Sequence, residues 1–136
     1  MLKLFVVITI FLSGALYGQE STREKCGDTA TETSKRKPIF EHSKEDISRY
    51  FNERVSFRSE EQVRGIYRIW MNCQGEIYQV DMVKGNLEES VNDEIEAALL
   101  KMPKWKPAEY DGAVDYMFYV DFLFKEKELK VNPLMR

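Results

Sequence analysis

Two prolines bracket a tryptophan in Met102-Pro103-Lys104-Trp105-Lys106-Pro107, and no other stretch limits the fold as tightly. Each proline fixes φ and removes a backbone donor, so neither a helix nor a central strand can run through the segment. The residue before each proline is pushed toward extended geometry. A helical pattern ends at Met102 and a strongly apolar strand pattern follows Gly112. The hexapeptide therefore reads as a stiff connector with one large side chain at its centre. Burying an indole of roughly 200 Å² contributes at most ~5 kcal/mol at about 25 cal/mol per Å². That is comparable with the whole stability of a small domain. Trp105 is expected to pin the connector to the core, with Pro103 and Pro107 as its structural frame and the lysines left in water. A surface tryptophan used for binding is the alternative, and the flanking prolines and Met102 speak against it.

The first residues read differently. Lys3, the apolar run Leu4 to Leu12, and small residues at Ser13, Gly14, Ala15 and Gly18 form the pattern of a secretory signal over 1–18. The run is short for a membrane span, which needs about 20 residues, so membrane attachment is expected only if the segment stays uncleaved. The expected location is periplasmic or secreted. The chain of 136 residues carries 20 Lys+Arg against 23 Asp+Glu, and loss of Lys3 makes it slightly more acidic. Nucleic acid is excluded as an expected partner, because its binding needs a basic face. Residues 19–37 are polar, with Cys26 and Ala30 as small apolar exceptions, and read as a flexible arm. In an oxidising compartment the two cysteines, Cys26 and Cys73, are more naturally bridged than free. A bridge would staple the arm to a turn; an intermolecular bridge and two free thiols are the alternatives.

Residues 38–127 read as one domain and 128–136 as a C-terminal tail. Ser43 is a good N-cap, and Ile47, Tyr50, Phe51 and Val55 recur at helical spacing, giving a helix from about Lys44 to Arg54. Phe40, before the cap, can pack as a staple. Val63 to Asn72 alternates as a strand, Asn72-Cys73-Gln74-Gly75 is a turn, and Glu76 to Val83 is a second strand, so the two form a hairpin. Ser90 is expected to cap a second helix whose apolar stripe is Val91, Ile95, Ala98, Leu99 and Met102. Val114 to Lys125 is the last strand. Val114, Tyr116, Phe118, Val120, Phe122 and Phe124 face one way, and Asp115, Met117, Tyr119, Asp121 and Leu123 the other. The expectation is an α+β fold: a three-stranded antiparallel sheet with two helices packed on one face. The last strand would lie beside the first and leave a long unpaired border.

Gly75-Glu76-Ile77, Val80, Met82-Val83-Lys84-Gly85, Ala97-Ala98-Leu99 and Met102 to Ala108 resemble the TonB C-terminal domain family, and Gly112 and Phe122-Leu123-Phe124 continue the match. The likeness covers roughly Phe40 to Lys125 and is greatest to a Bacteroidetes-type, freestanding exported version. It implies a binding module that captures an extended peptide, such as a segment of an outer-membrane transporter, by adding it as a strand. Carried over, the pairing border is Tyr116, Met117, Phe118, Tyr119, Val120, Asp121, Phe122 and Leu123.

Enzymatic chemistry is not expected. His42 is the lone histidine and sits at a helix entrance. The acids of Glu88 to Glu96 form a solvated helix face, and Cys73 has no neighbouring histidine. Two cysteines and a distant histidine fall short of a four-ligand zinc site, so no metal or cofactor is expected. A homodimer that buries the same border and the Trp70/Tyr119 face is the competing reading.

Overall fold

The computed structural model describes residues 24–26, 29–30, 36–40, 44–110 and 112–135. The signal-like segment, His42 and the Ser43 cap lie outside them. In chain order the elements are β1 (Thr29–Ala30), α1 (Lys44–Arg54), β2 (Val63–Met71), β3 (Ile77–Gly85), α2 (Glu89–Leu100), β4 (Ala108–Glu109), β5 (Ala113–Lys125) and β6 (Glu128–Leu134). The α+β class with two helices and an antiparallel sheet holds. The sheet is larger than the three strands expected, because β6, β4 and the parallel β1 all join β5.

Tyr67, Ile69 and Met71 of β2 and Tyr116, Phe118, Val120, Phe122 and Phe124 of β5 share the buried face of the sheet. Alternation along a strand sends these side chains one way, and the apolar stripes of both helices cover them. Ile47, Tyr50, Phe51 and Val55 come from α1, and Val91, Ile95, Ala98 and Leu99 from α2. Phe51 and Tyr67 both meet Phe122 edge-on, with centroids 4.9 and 5.3 Å away. The Tyr50 hydroxyl donates to the Ala98 carbonyl at 2.7 Å, which ties α1 to α2. α2 starts one residue before Ser90. Its N-cap is Glu88, which makes no side-chain capping bond, so Ser90 lies within the first turn instead of capping it.

β2 and β5 pair in register over nine residues, from Val63↔Phe124 to Met71↔Tyr116. The β2–β3 ladder slips twice, leaving Val83 and Tyr78 as extra residues on β3. Such bulges bend a strand and raise its twist. Gly75 closes the hairpin turn at φ +79°, and a Cβ there would collide with the carbonyl oxygen of Trp105. Trp105 N–H in turn donates to Gly75 O at 2.9 Å. Glycine is thus required both by conformation and by the close passage of the connector.

The connector itself is fixed from inside. Trp105 is 5% exposed and packs on Phe40 (5.0 Å) and Phe118 (5.5 Å), while Lys104 and Lys106 are exposed. Phe40 therefore supports the indole, and it also borders a hollow with Asp46, Arg49 and Tyr50 of α1. Ile39 and Lys106 exchange two backbone hydrogen bonds at 2.9 and 2.7 Å, and Arg36 bridges Glu109 in the same way. The described parts of the arm are attached at two places. Arg36 to Phe40 lie along the connector, and Glu24 to Cys26 are tied to the hairpin turn by a Cys26–Cys73 disulfide.

Glu128–Leu134, expected within a tail, form β6. β6 returns through a two-residue turn in which Glu126 and Lys127 both adopt positive φ (54° and 61°), and Leu129 and Val131 are buried. The chain writes this hairpin without Asn-Gly, the usual sequence where both turn residues need positive φ.

Candidate functional site: the sheet borders and the outer face

A strand offers a binding edge only where its backbone is not already paired. The border expected on β5 fails that condition. On one side β5 pairs with β2. On the other, Ala113 and Val114 pair with β4, Asp115 and Tyr116 with β1, and Tyr119 to Lys125 with β6. Of the residues expected to pair with a partner, Tyr116 and Tyr119 through Leu123 are taken by the protein's own backbone. Among the described residues, Met117 and Phe118 lie between the stretches covered by β1 and β6. Two features hid this occlusion: Pro133, which argues against a strand interior, and the unusual Glu126-Lys127 turn.

The two outer borders of the sheet are β6 and β3. β6 is guarded. Asn52 of α1 donates to its Leu129 carbonyl at 3.2 Å, Pro133 removes a donor, and Glu128 and Lys130 add charge. β3 is longer, and among the described residues no strand pairs along its far side. Between its two bulges runs Gln79 to Met82, with Met82 and Val83 exposed at the border.

The face of the sheet opposite the helices carries a cross-strand set of side chains. Registers place Trp70 between Gln79 and Met117, Arg68 between Asp81 and Tyr119, and Ile66 between Lys84 and Asp121. The Arg68 guanidinium lies 4.6 Å from the centre of the Trp70 ring and 3.6 Å from Asp81. Arg64 grips Asp121 with two bonds of 2.7 Å. The Asp121 side chain is 8% exposed against 50% for Arg64. Hydrogen bonding to Asp121, reinforced by its charge, raises the Arg64 pKa further above neutrality. Tyr119 is 37% and Leu134 45% exposed on this side. The face thus combines aromatic surface with anchored, oriented charges. Trp70 and Tyr119 were legible in the alternation, whereas Leu134 was hidden by reading its strand as a tail. A 300 Å³ hollow beside this face is lined by Arg64, Ile66, Lys84, Gly85 and Asn86.

At the turn end sits the disulfide. The Cys26 N–H donates to Asp115 Oδ2 at 2.9 Å, and Asn72 Nδ2 donates to Glu24 O at 3.1 Å. The two sulfurs and an Asp115 carboxylate oxygen lie within 4.8 Å of one another, and Asp115 is 1% exposed. Fixing a backbone residue costs ~1–2 kcal/mol, while each such hydrogen bond returns about 1 kcal/mol net. For a polar arm the covalent bond is therefore the main restraint. Asp115 was expected as an outward acid on an alternating strand; the arm folded over it is what buries it.

Comparison with protein-family models, with curated proteins and with solved structures finds no match for this chain.

Proposed function

We propose that this chain is an exported, non-catalytic binding module that takes up an extended segment of a partner protein by strand addition. The border for it is β3, not β5. One observation carries the reading: from Gln79 to Gly85 no strand pairs along the far side of β3 among the described residues. A segment added there would satisfy spare backbone groups. Its alternate side chains would fall beside Gln79 and Asp81 on the outer face, one strand away from Trp70 and Arg68. Export rests on the signal-like pattern of 1–18. The resemblance to TonB C-terminal domains supports the same class of activity and makes a transporter segment at the outer membrane the natural partner. The displacement of the site from β5 to β3 follows from β6 lying where that family would receive its peptide.

A homodimer is the second reading, favoured by the exposure of Tyr119 and Leu134 on the aromatic face. Photo-crosslinking residues placed singly at Met82, Tyr119 and Lys130 in the full chain separate the two. Adducts with envelope proteins at position 82, and none at 130, support strand addition at β3. Self-adducts at 119, together with a fall from dimer to monomer in Tyr119→Lys on size exclusion, favour the dimer. Equal labelling at all three positions contradicts both.

A further inference from the structure

We infer that the Cys26–Cys73 bridge is a reducible latch that holds the N-terminal arm over β5, with a dithiol reductant as its chemical partner. This goes beyond the β3 reading and stands or falls without it. Four observations converge at one spot. The bridge joins the arm to the β2–β3 turn. The neighbouring arm residues Thr29 and Ala30 pair in parallel with Asp115 and Tyr116. Cys26 N–H donates to the buried Asp115 carboxylate. Glu24, Lys25 and Cys26 are otherwise exposed, so little apolar burial holds this part of the arm.

The next anchor downstream is independent of the sulfurs. Arg36 and Ile39 are bridged to Glu109 and Lys106, and Phe40 sits on Trp105. Opening the bridge therefore frees Glu24 to Cys26 from the hairpin turn, leaves Thr29 and Ala30 only their two-residue ladder among the described contacts, and leaves the connector seated. Cys26 is exposed while Cys73 is half-buried, so access favours attack on the Cys26 sulfur. A reductant thiolate bonds to Cys26 Sγ, the Cys26–Cys73 bond breaks, and Cys73 leaves as a thiolate that takes a proton from water. The second thiol of the reductant then displaces Cys26, which is protonated in turn. Two protein thiols form and one dithiol becomes a disulfide, so the electrons balance. With β1 released, Asp115 and Tyr116 lose that strand partner, at a point of the border between β4 and β6.

Amide hydrogen exchange on the full chain, compared between the oxidised protein, the dithiothreitol-treated protein and Cys26→Ser/Cys73→Ser, tests the latch. The expected result is exchange roughly tenfold or more faster at Asp115 and Tyr116, the residues paired with β1, in both bridge-free forms. Val120 to Phe124 and Ile39 to Phe40 should keep their protection. Unchanged exchange at Asp115 and Tyr116 overturns the latch, since the arm then stays without its bond. Loss of protection along the whole of β5 also overturns it, because the bridge is then a general staple of the fold. The β3 proposal predicts crosslinks at position 82 whatever the state of the sulfurs, so the two fail separately.

Discussion

Trp105 is held by Phe40, by Phe118 and through its own amide by Gly75. Trp105→Ala should lower stability by ~3–5 kcal/mol, read from urea unfolding. In a Trp70→Phe background its emission should be blue-shifted and poorly quenched by acrylamide. Tyr67 gives a second prediction. Its hydroxyl donates to Asn92 Oδ1 at 2.8 Å, and burial first, then Glu96 and Asp93, raise its pKa well above the ordinary phenol value. The folded form keeps that proton where the unfolded chain releases it at about pH 10. Stability is thus whole below that pH and falls as the solution becomes more alkaline. Absorbance at 295 nm, compared with Tyr67→Phe, should show one phenol ionising only as the protein unfolds. The role of Trp105 was readable because prolines force an extended connector whatever surrounds it. That of Asp115 was not, since alternation assigns a residue to a face but cannot say what covers that face.

The hairpin turn between β5 and β6 places two non-glycine residues in the left-handed region, at a cost of ~1–2 kcal/mol each. Its amides are held from outside: Glu126 N–H by Glu60 O at 3.1 Å and Lys127 N–H by Ser59 O at 2.9 Å. These are backbone bonds and survive a change of side chain. Glu126→Asn with Lys127→Gly should therefore stabilise the protein by about 1 kcal/mol or more, seen as a higher urea midpoint. The Lys127–Glu60 pair it deletes is exposed and contributes little. Both helices, β2, β3 and β5 were legible to within about two residues because their apolar periodicity is long. β6 and β1 were missed for the opposite reason: short, polar strands form where a longer strand already offers a ladder, and nothing local announces that.

Across the whole molecule, three otherwise separate segments meet at one end of the sheet: the arm, the β2–β3 turn and the proline-framed connector. The disulfide spans 47 positions of sequence, so removing it costs at most ~4 kcal/mol by chain entropy. Cys26→Ser/Cys73→Ser should remain folded at a lower urea midpoint, with its apolar core intact. The bridge also decides how the molecule carries load. Tension on the chain ahead of Cys26 passes through a covalent bond to the tip of the hairpin, bypassing the two-residue grip of β1. Once the sulfurs are parted, the same tension acts first on that grip, and the next described attachment is the bridge of Arg36 to Glu109. The oxidation state of two atoms thereby sets where a pull on the arm is first borne.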